Sequence, residues 1–193
     1  MQTNSAASNQ EQMDRYARPR ALMHWLLALI VILMLAGGLK GIAPLDDADP
    51  AKVGVLRLHV MMGLTTLAIF LIYAITAVVF RAPRKATSGS GALDLLAKAV
   101  HIVLRLGVLV MLASGMATVK ISGLGDILFA TEAGELPTHL ASLPSAQVHA
   151  WAARFLLVLI GLHVVGAAYH QLVLRDRLLS RMALWGRTNK PQD

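Results

Sequence analysis

The chain has 193 residues, 56% of them hydrophobic and only 15% charged, with a formal charge of +7 and no cysteine. Apolar residues gathered in blocks near twenty long exclude an ordinary soluble domain and predict membrane-spanning helices. Without cysteine there is no disulfide frame, thiolate metal site, iron–sulfur cluster or covalent c-type haem attachment, so any metal must use His, Met or carboxylate ligands.

In chain order, residues 1–12 are polar and read as a disordered tail. The first span covers about 21–39 and ends at Gly37-Gly38. Arg15, Arg18 and Arg20 before it resemble the basic start of a signal peptide, but an apolar stretch this long exceeds the ~7–15 residues of a cleaved core. An acidic loop with Asp46, Asp47 and Asp49 leads to the second span, about 55–80. A basic, flexible connector follows, carrying Arg81, Arg84, Lys85 and Ser88-Gly89-Ser90-Gly91. The third span is about 95–119, and a longer loop, 120–145, holds Asp126, Glu132 and Glu135. The fourth span, about 147–174, precedes Arg175, Arg177, Arg181, Arg187 and Lys190. The expected organisation is a tail at 1–19, one four-helix transmembrane domain at 20–180 and a second tail at 181–193. The basic residues flank the spans rather than forming a basic surface helix. They act as topology determinants and give no sign of nucleic-acid binding. Counting Lys and Arg alone places both termini in the cytoplasm and the two acidic loops outside. Gly37, Gly38, Gly63, Gly107, Gly115, Gly161 and Gly166 permit close approach of helices or of a flat ligand.

Histidines are the chemical signal, because an ionisable ring in hydrocarbon must find a partner. His149 and His163 are fourteen residues apart on one span, which puts them on nearly one helical face about 21 Å apart along the axis. Topology places His24 on the inner side, His59 and His149 on the outer side and His163 on the inner half. The pairs His59/His149 and His24/His163 suit two b-type haems, each needing one axial imidazole from either side. Zinc or copper also takes imidazole, but two His per layer without a carboxylate is a poor zinc set. By depth alone His170, seven residues beyond His163, competes for the inner position, and His101 is another inner candidate. His139 falls in a polar loop and is expected to be solvated.

The segments Met23-His24-Trp25, Leu58-His59-Val60-Met61-Met62-Gly63, Leu96-Ala97-Lys98-Ala99-Val100-His101 and Ile160-Gly161-Leu162-His163 resemble the bacterial cytochrome b561 family. So do His170, Arg175-Asp176 and Leu179-Ser180-Arg181-Met182, and the resemblance covers about 21–185. It implies an all-α integral membrane protein, a four-transmembrane-helix bundle enclosing two haem b. The implied axial ligands are His24, His59, His149 and His163, leaving His101 and His170 for other roles. One departure stands out: family members usually carry arginine where this chain has Tyr73. Arg57 and Arg81 are the candidates to compensate for charge near the haem propionates.

The resemblance further implies electron transfer between an outer donor and membrane quinone. His101, His170 and Arg57 are the quinone or propionate candidates. Lys40, Lys52, Arg57 and Lys120 lie where a small anion approaches from outside, and the resemblance includes superoxide oxidases that reduce ubiquinone. The alternative is a cytochrome b relay subunit docking with a soluble redox partner such as a hydrogenase or dehydrogenase. A haem-free transporter is a third reading.

Overall fold

The computed structural model describes residues 15–46, 49–80, 83, 86–129, 136–137 and 140–184. The tail before Arg15, Arg81, Glu132, Glu135, His139 and everything from Trp185 onward lie outside the described residues.

Four helices are long and apolar enough to cross a membrane. The first, α1 (Arg18–Ala36), starts with a proline in its first turn and runs on into a wide π-helical turn, Gly37–Ile42. The glycine pair therefore does not end the span. In hydrocarbon every backbone group needs a partner, so a looser helical ladder is preferred to an open end. Helix α2 (Pro50–Val79) begins five residues before the start that its apolar pattern predicts. Asp49 caps it by accepting a 2.8 Å bond from the Ala51 N–H, with Pro50 preset for the first helical position.

Helix α3 (Gly91–Ile121) is likewise longer than its apolar core. The Asp94 carboxylate in its first turn accepts bonds from the Ser88 N–H (2.7 Å), Ser88 Oγ (2.8 Å) and Thr87 Oγ1 (2.6 Å). These bonds satisfy donors at the helix entry, so the Ser-Gly end of the connector is organised around one acid. A short helix, α4 (Leu124–Phe129), forms in what the sequence pattern reads as loop, after a turn through Gly123 at φ +69°. Its Leu124 and Leu128, one turn apart, are 2% and 0% exposed and close one end of the bundle over Leu56. Helix α5 (Pro144–Tyr169) continues through a π-helical turn, His170–Leu174, and a 3₁₀ turn follows at Leu178–Met182.

Helices α1 and α2 pack as one hairpin and α3 and α5 as another, with sparser contact between α2 and α3. Leu35, Phe70, Val108, Ala153 and Leu156 join the hairpins at mid-depth. The outward faces are apolar, with Val78 87% and Val158 68% exposed, as expected of a surface solvated by lipid.

The α3–α5 contact depends on Gly107, where an added Cβ would sit 2.9 Å from Leu156 Cδ2 and 3.2 Å from its Cγ. Leu156 is 1% exposed and has little room to turn away. Gly107→Ala is expected to destabilise the bundle by about 1–3 kcal/mol, read as a lower thermal midpoint in detergent. An unchanged midpoint would mean that Leu156 repacks freely. Of the other glycines, Gly38, Gly63 and Gly115 meet side chains across a helix contact, whereas Gly37, Gly161 and Gly166 meet nothing within 4 Å.

Candidate cofactor site: two facing histidine pairs

Two pairs of imidazoles bridge the hairpins near opposite ends of the bundle. At the end carrying the α1–α2 loop, His59 of α2 faces His149 of α5 with ring centroids 6.1 Å apart and planes crossed at 79°. At the end carrying both termini, His24 of α1 faces His163 of α5 at 6.3 Å and 70°. Helix α5 contributes one ring to each pair.

The His59/His149 pair is held by neighbours on both sides. His149 Nδ1 lies 2.9 Å from the Met111 carbonyl and 3.2 Å from Ser114 Oγ. With Nδ1–H donating to the carbonyl, Nε2 keeps its lone pair for a metal, which is the usual way a protein fixes the ligating tautomer. Close approach of α3 makes this bond possible: a Cβ on Gly115 would stand 3.0 Å from His149 Cε1. Thr118 Oγ1 donates to Ser145 Oγ at 2.9 Å and ties α3 to the first turn of α5. On the other side, Gly38 in the π-helical turn lets the backbone approach the His59 ring, with a Cβ position 3.5 Å from its Cε1.

Aromatic neighbours crowd the His24/His163 pair. Trp25 packs edge-on against His24 at 5.5 Å, and its Nε1 donates to the Met182 carbonyl at 2.9 Å, fastening the C-terminal turn to α1. Tyr73 lies 6.4 Å from His24. His101 comes within 5.0 Å of His163, and its Nδ1 is 2.6 Å from the Ala97 carbonyl. Two imidazoles bound at about 2 Å on either side of one metal have centroids about 6 Å apart. The His24/His163 and His59/His149 pairs have that spacing, and the His101/His163 contact is too short for it.

His170 stands apart from both pairs. Its Nδ1 lies 2.6 Å from Asp176 Oδ2, beside the Tyr169 ring. Arg175 and Arg177 adopt left-handed backbone, φ 54° and 55°, which turns the chain so that Asp176 reaches back to His170. Such conformations cost a non-glycine residue about 1–2 kcal/mol each and persist only where surrounding contacts hold them.

Arg57 donates from Nε to the Leu128 carbonyl and so anchors α4 at the end of the bundle that carries the α1–α2 loop. It sits sixteen residues before Tyr73 on α2, about 24 Å away along the axis, which is beyond the reach needed to replace a cation there. Arg81 lies outside the described residues. Lys52 donates to the Leu45 carbonyl at 2.7 Å and is nearly buried, whereas Lys40 and Lys120 are exposed.

Three residues that the sequence reading did not single out belong to the site. Met111 contributes only a carbonyl, for which no side-chain signal exists. Asp176 is recognisable only once the chain reversal is known. Arg105, with Arg20, lines a cavity of about 300 Å³ beside Tyr73, and its signal was available as a permanent charge inside an apolar run.

Among the described residues, no group of three or more His, Asp or Glu is placed to hold a metal ion. The donor sets are imidazole pairs, which fit a metal that brings its own equatorial ligands and needs two axial ones. Together with four membrane-length helices, they define a multi-pass membrane protein of the cytochrome b class. Residues 15–185 match the prokaryotic cytochrome b561 family, and the chain belongs to it. It is 31% identical over 171 residues to cytochrome b562 of Cereibacter sphaeroides, covering 86% of this chain and 94% of that protein. Membership makes this an electron-transfer cytochrome and implies haem b as its cofactor.

Proposed function

We propose that the protein is a di-haem cytochrome of the bacterial inner membrane that passes electrons from superoxide outside to ubiquinone at its cytoplasmic side. The observation that carries this reading is the placement of two coaxially spaced histidine pairs at opposite ends of one bundle. In it, His59 and His149 hold one haem and His24 and His163 the other. Bound haem supplies the one-electron redox chemistry, and the protein sets ligation, burial and access. Arg15, Arg18, Arg175, Arg177 and Arg181 share the end where the termini meet, which supports a cytoplasmic assignment for it.

Each end has groups suited to its substrate. Lys40 and Lys120, exposed at the outer end, attract a small anion, while Lys52 and Arg57 are committed to backbone carbonyls. At the inner end the His170–Asp176 couple is placed to hand a proton to quinone: Asp176 orients the ring through Nδ1, 2.6 Å away, and leaves Nε2 free to face the substrate. The balance is two superoxide plus one quinone plus two protons giving two dioxygen and one quinol. His101, backed by the Ala97 carbonyl, props the His163 ring.

The test is to mix purified protein with superoxide and a short-chain ubiquinone. Quinol is expected to form at a rate approaching the diffusion ceiling of about 10⁸–10⁹ M⁻¹s⁻¹. Slow reduction, with a dehydrogenase or hydrogenase co-purifying, would make the protein a relay subunit and overturn the superoxide assignment.

A further inference from the structure

Two arginines on the membrane-spanning helices, one in the first turn of α1 and one midway along α3, have no paired acid among the described residues. Arg20 of α1 and Arg105 of α3 line the same cavity of about 300 Å³, whose remaining wall is Phe70, Tyr73, Ala74 and Ala77 of α2. Arg20 donates one Nη to the Phe80 carbonyl at 3.3 Å and lies 5.0 Å over the Tyr16 ring, but its Nε is buried without a partner. Arg105 stands midway along the 31-residue α3. Among the described residues, no carboxylate is paired with either. Arg20 is half-buried and Arg105 is exposed on the face of the bundle. A guanidinium does not shed its charge, so two of them lining one cavity along apolar spans call for an anion there.

Position narrows the anion. The cavity adjoins the inner histidine pair, since Tyr73 on its wall lies 6.4 Å from the His24 ring. A lipid headgroup belongs at the membrane surface, whereas Arg105 is near the middle of its span. Haem carries two carboxylates on one edge, and arginine's planar fork matches carboxylates better than any other side chain. We propose that Arg20 and Arg105 bind the propionates of the haem seated between His24 and His163. In this arrangement Arg105 supplies, from α3, the charge that Tyr73 does not supply from α2, and Tyr73 adds a neutral hydroxyl donor. The proposal rests on the ligand assignment made above.

The experiment uses holoprotein. Arg105→Gln is expected to release one of its two haems to apomyoglobin roughly tenfold faster than wild type, the scale of a lost charge-assisted hydrogen bond. It is also expected to shift the propionate bending band in the resonance Raman spectrum, a change that loosened packing alone would not produce. Arg105→Lys, which keeps the charge but not the fork, is expected to fall between the two. Adding Tyr73→Arg to Arg105→Gln restores a cation across the same cavity and is expected to slow release again. Wild-type release and an unshifted band in Arg105→Gln would overturn the proposal. So would loss of a bound anionic phospholipid with both haems unaffected, which would make the cavity a headgroup site. Failure of the underlying ligand assignment has a separate mark, because His24→Ala would then retain both haems.

Discussion

His163→Ala is expected to lose one of the two haems proposed above, and His24→Ala to lose the same one. His59→Ala and His149→Ala are expected to lose the other haem. The pairing geometry makes these effects large. Each ring faces one partner at 6.1 or 6.3 Å across the hairpin interface, so its removal deletes one of only two protein bonds to the metal. Among the described residues no third ligand is placed to replace it. His101 is near, but its ring packs against His163 itself and its Nδ1 is committed to the Ala97 carbonyl. His101→Ala is therefore expected to keep both haems with a modest shift in the spectrum of one. The measurement is haem per polypeptide by pyridine haemochrome, with the reduced-minus-oxidised spectrum of each variant. If His170→Ala rather than His163→Ala removed the inner haem, the ligand assignment would be wrong.

That discrimination shows what depth arithmetic supplies and what it lacks. The four spans, their order and the two histidine layers follow from apolar run length, Lys and Arg placement and helical rise. These are one-dimensional properties, and the bilayer forces the third dimension onto them. His163 and His170 lie on nearly the same face of one helix, so rise alone could not choose between them. In the fold His163 is the ring that faces His24, at 6.3 Å, while His170 turns to Asp176, which arrives only after a reversal through two left-handed arginines. Span ends were misjudged for a local reason: Asp49-Pro50 and the Ser88–Asp94 bonds are polar caps outside the apolar pattern. Helix α4 was missed because two leucines one turn apart are too short a signal, and only packing on Leu56 makes them a helix. Arg57 looked suited to compensate for Tyr73 because both lie on one span, yet a helix separates them by about 24 Å. The tertiary fold instead brings arginines from α1 and α3 to Tyr73.

The second large effect is expected at His170, and it should be selective. Quinone reduction takes up two protons, and a positioned acid or base contributes typically 10²–10⁴-fold to such a step. His170→Ala is expected to slow quinone-dependent reoxidation of the reduced protein by roughly 10²-fold or more. Reduction of the oxidised protein by superoxide should stay at the wild-type rate, and both haems should be retained. Asp176→Asn keeps a hydrogen-bonding group of the same shape but removes the carboxylate that sits 2.6 Å from Nδ1. It is expected to reproduce a large part of the His170→Ala defect, because the ring loses the carboxylate that fixes its tautomer and orientation. The two half-reactions are separable by stopped-flow in one preparation, so a general loss of folding would slow both and could not imitate the pattern. Equal slowing of both, or a wild-type reoxidation rate in His170→Ala, would remove this couple from the quinone end. The cost of two left-handed arginines argues for the selective outcome: a turn that strained has little reason to persist unless the Asp176 contact it creates is used.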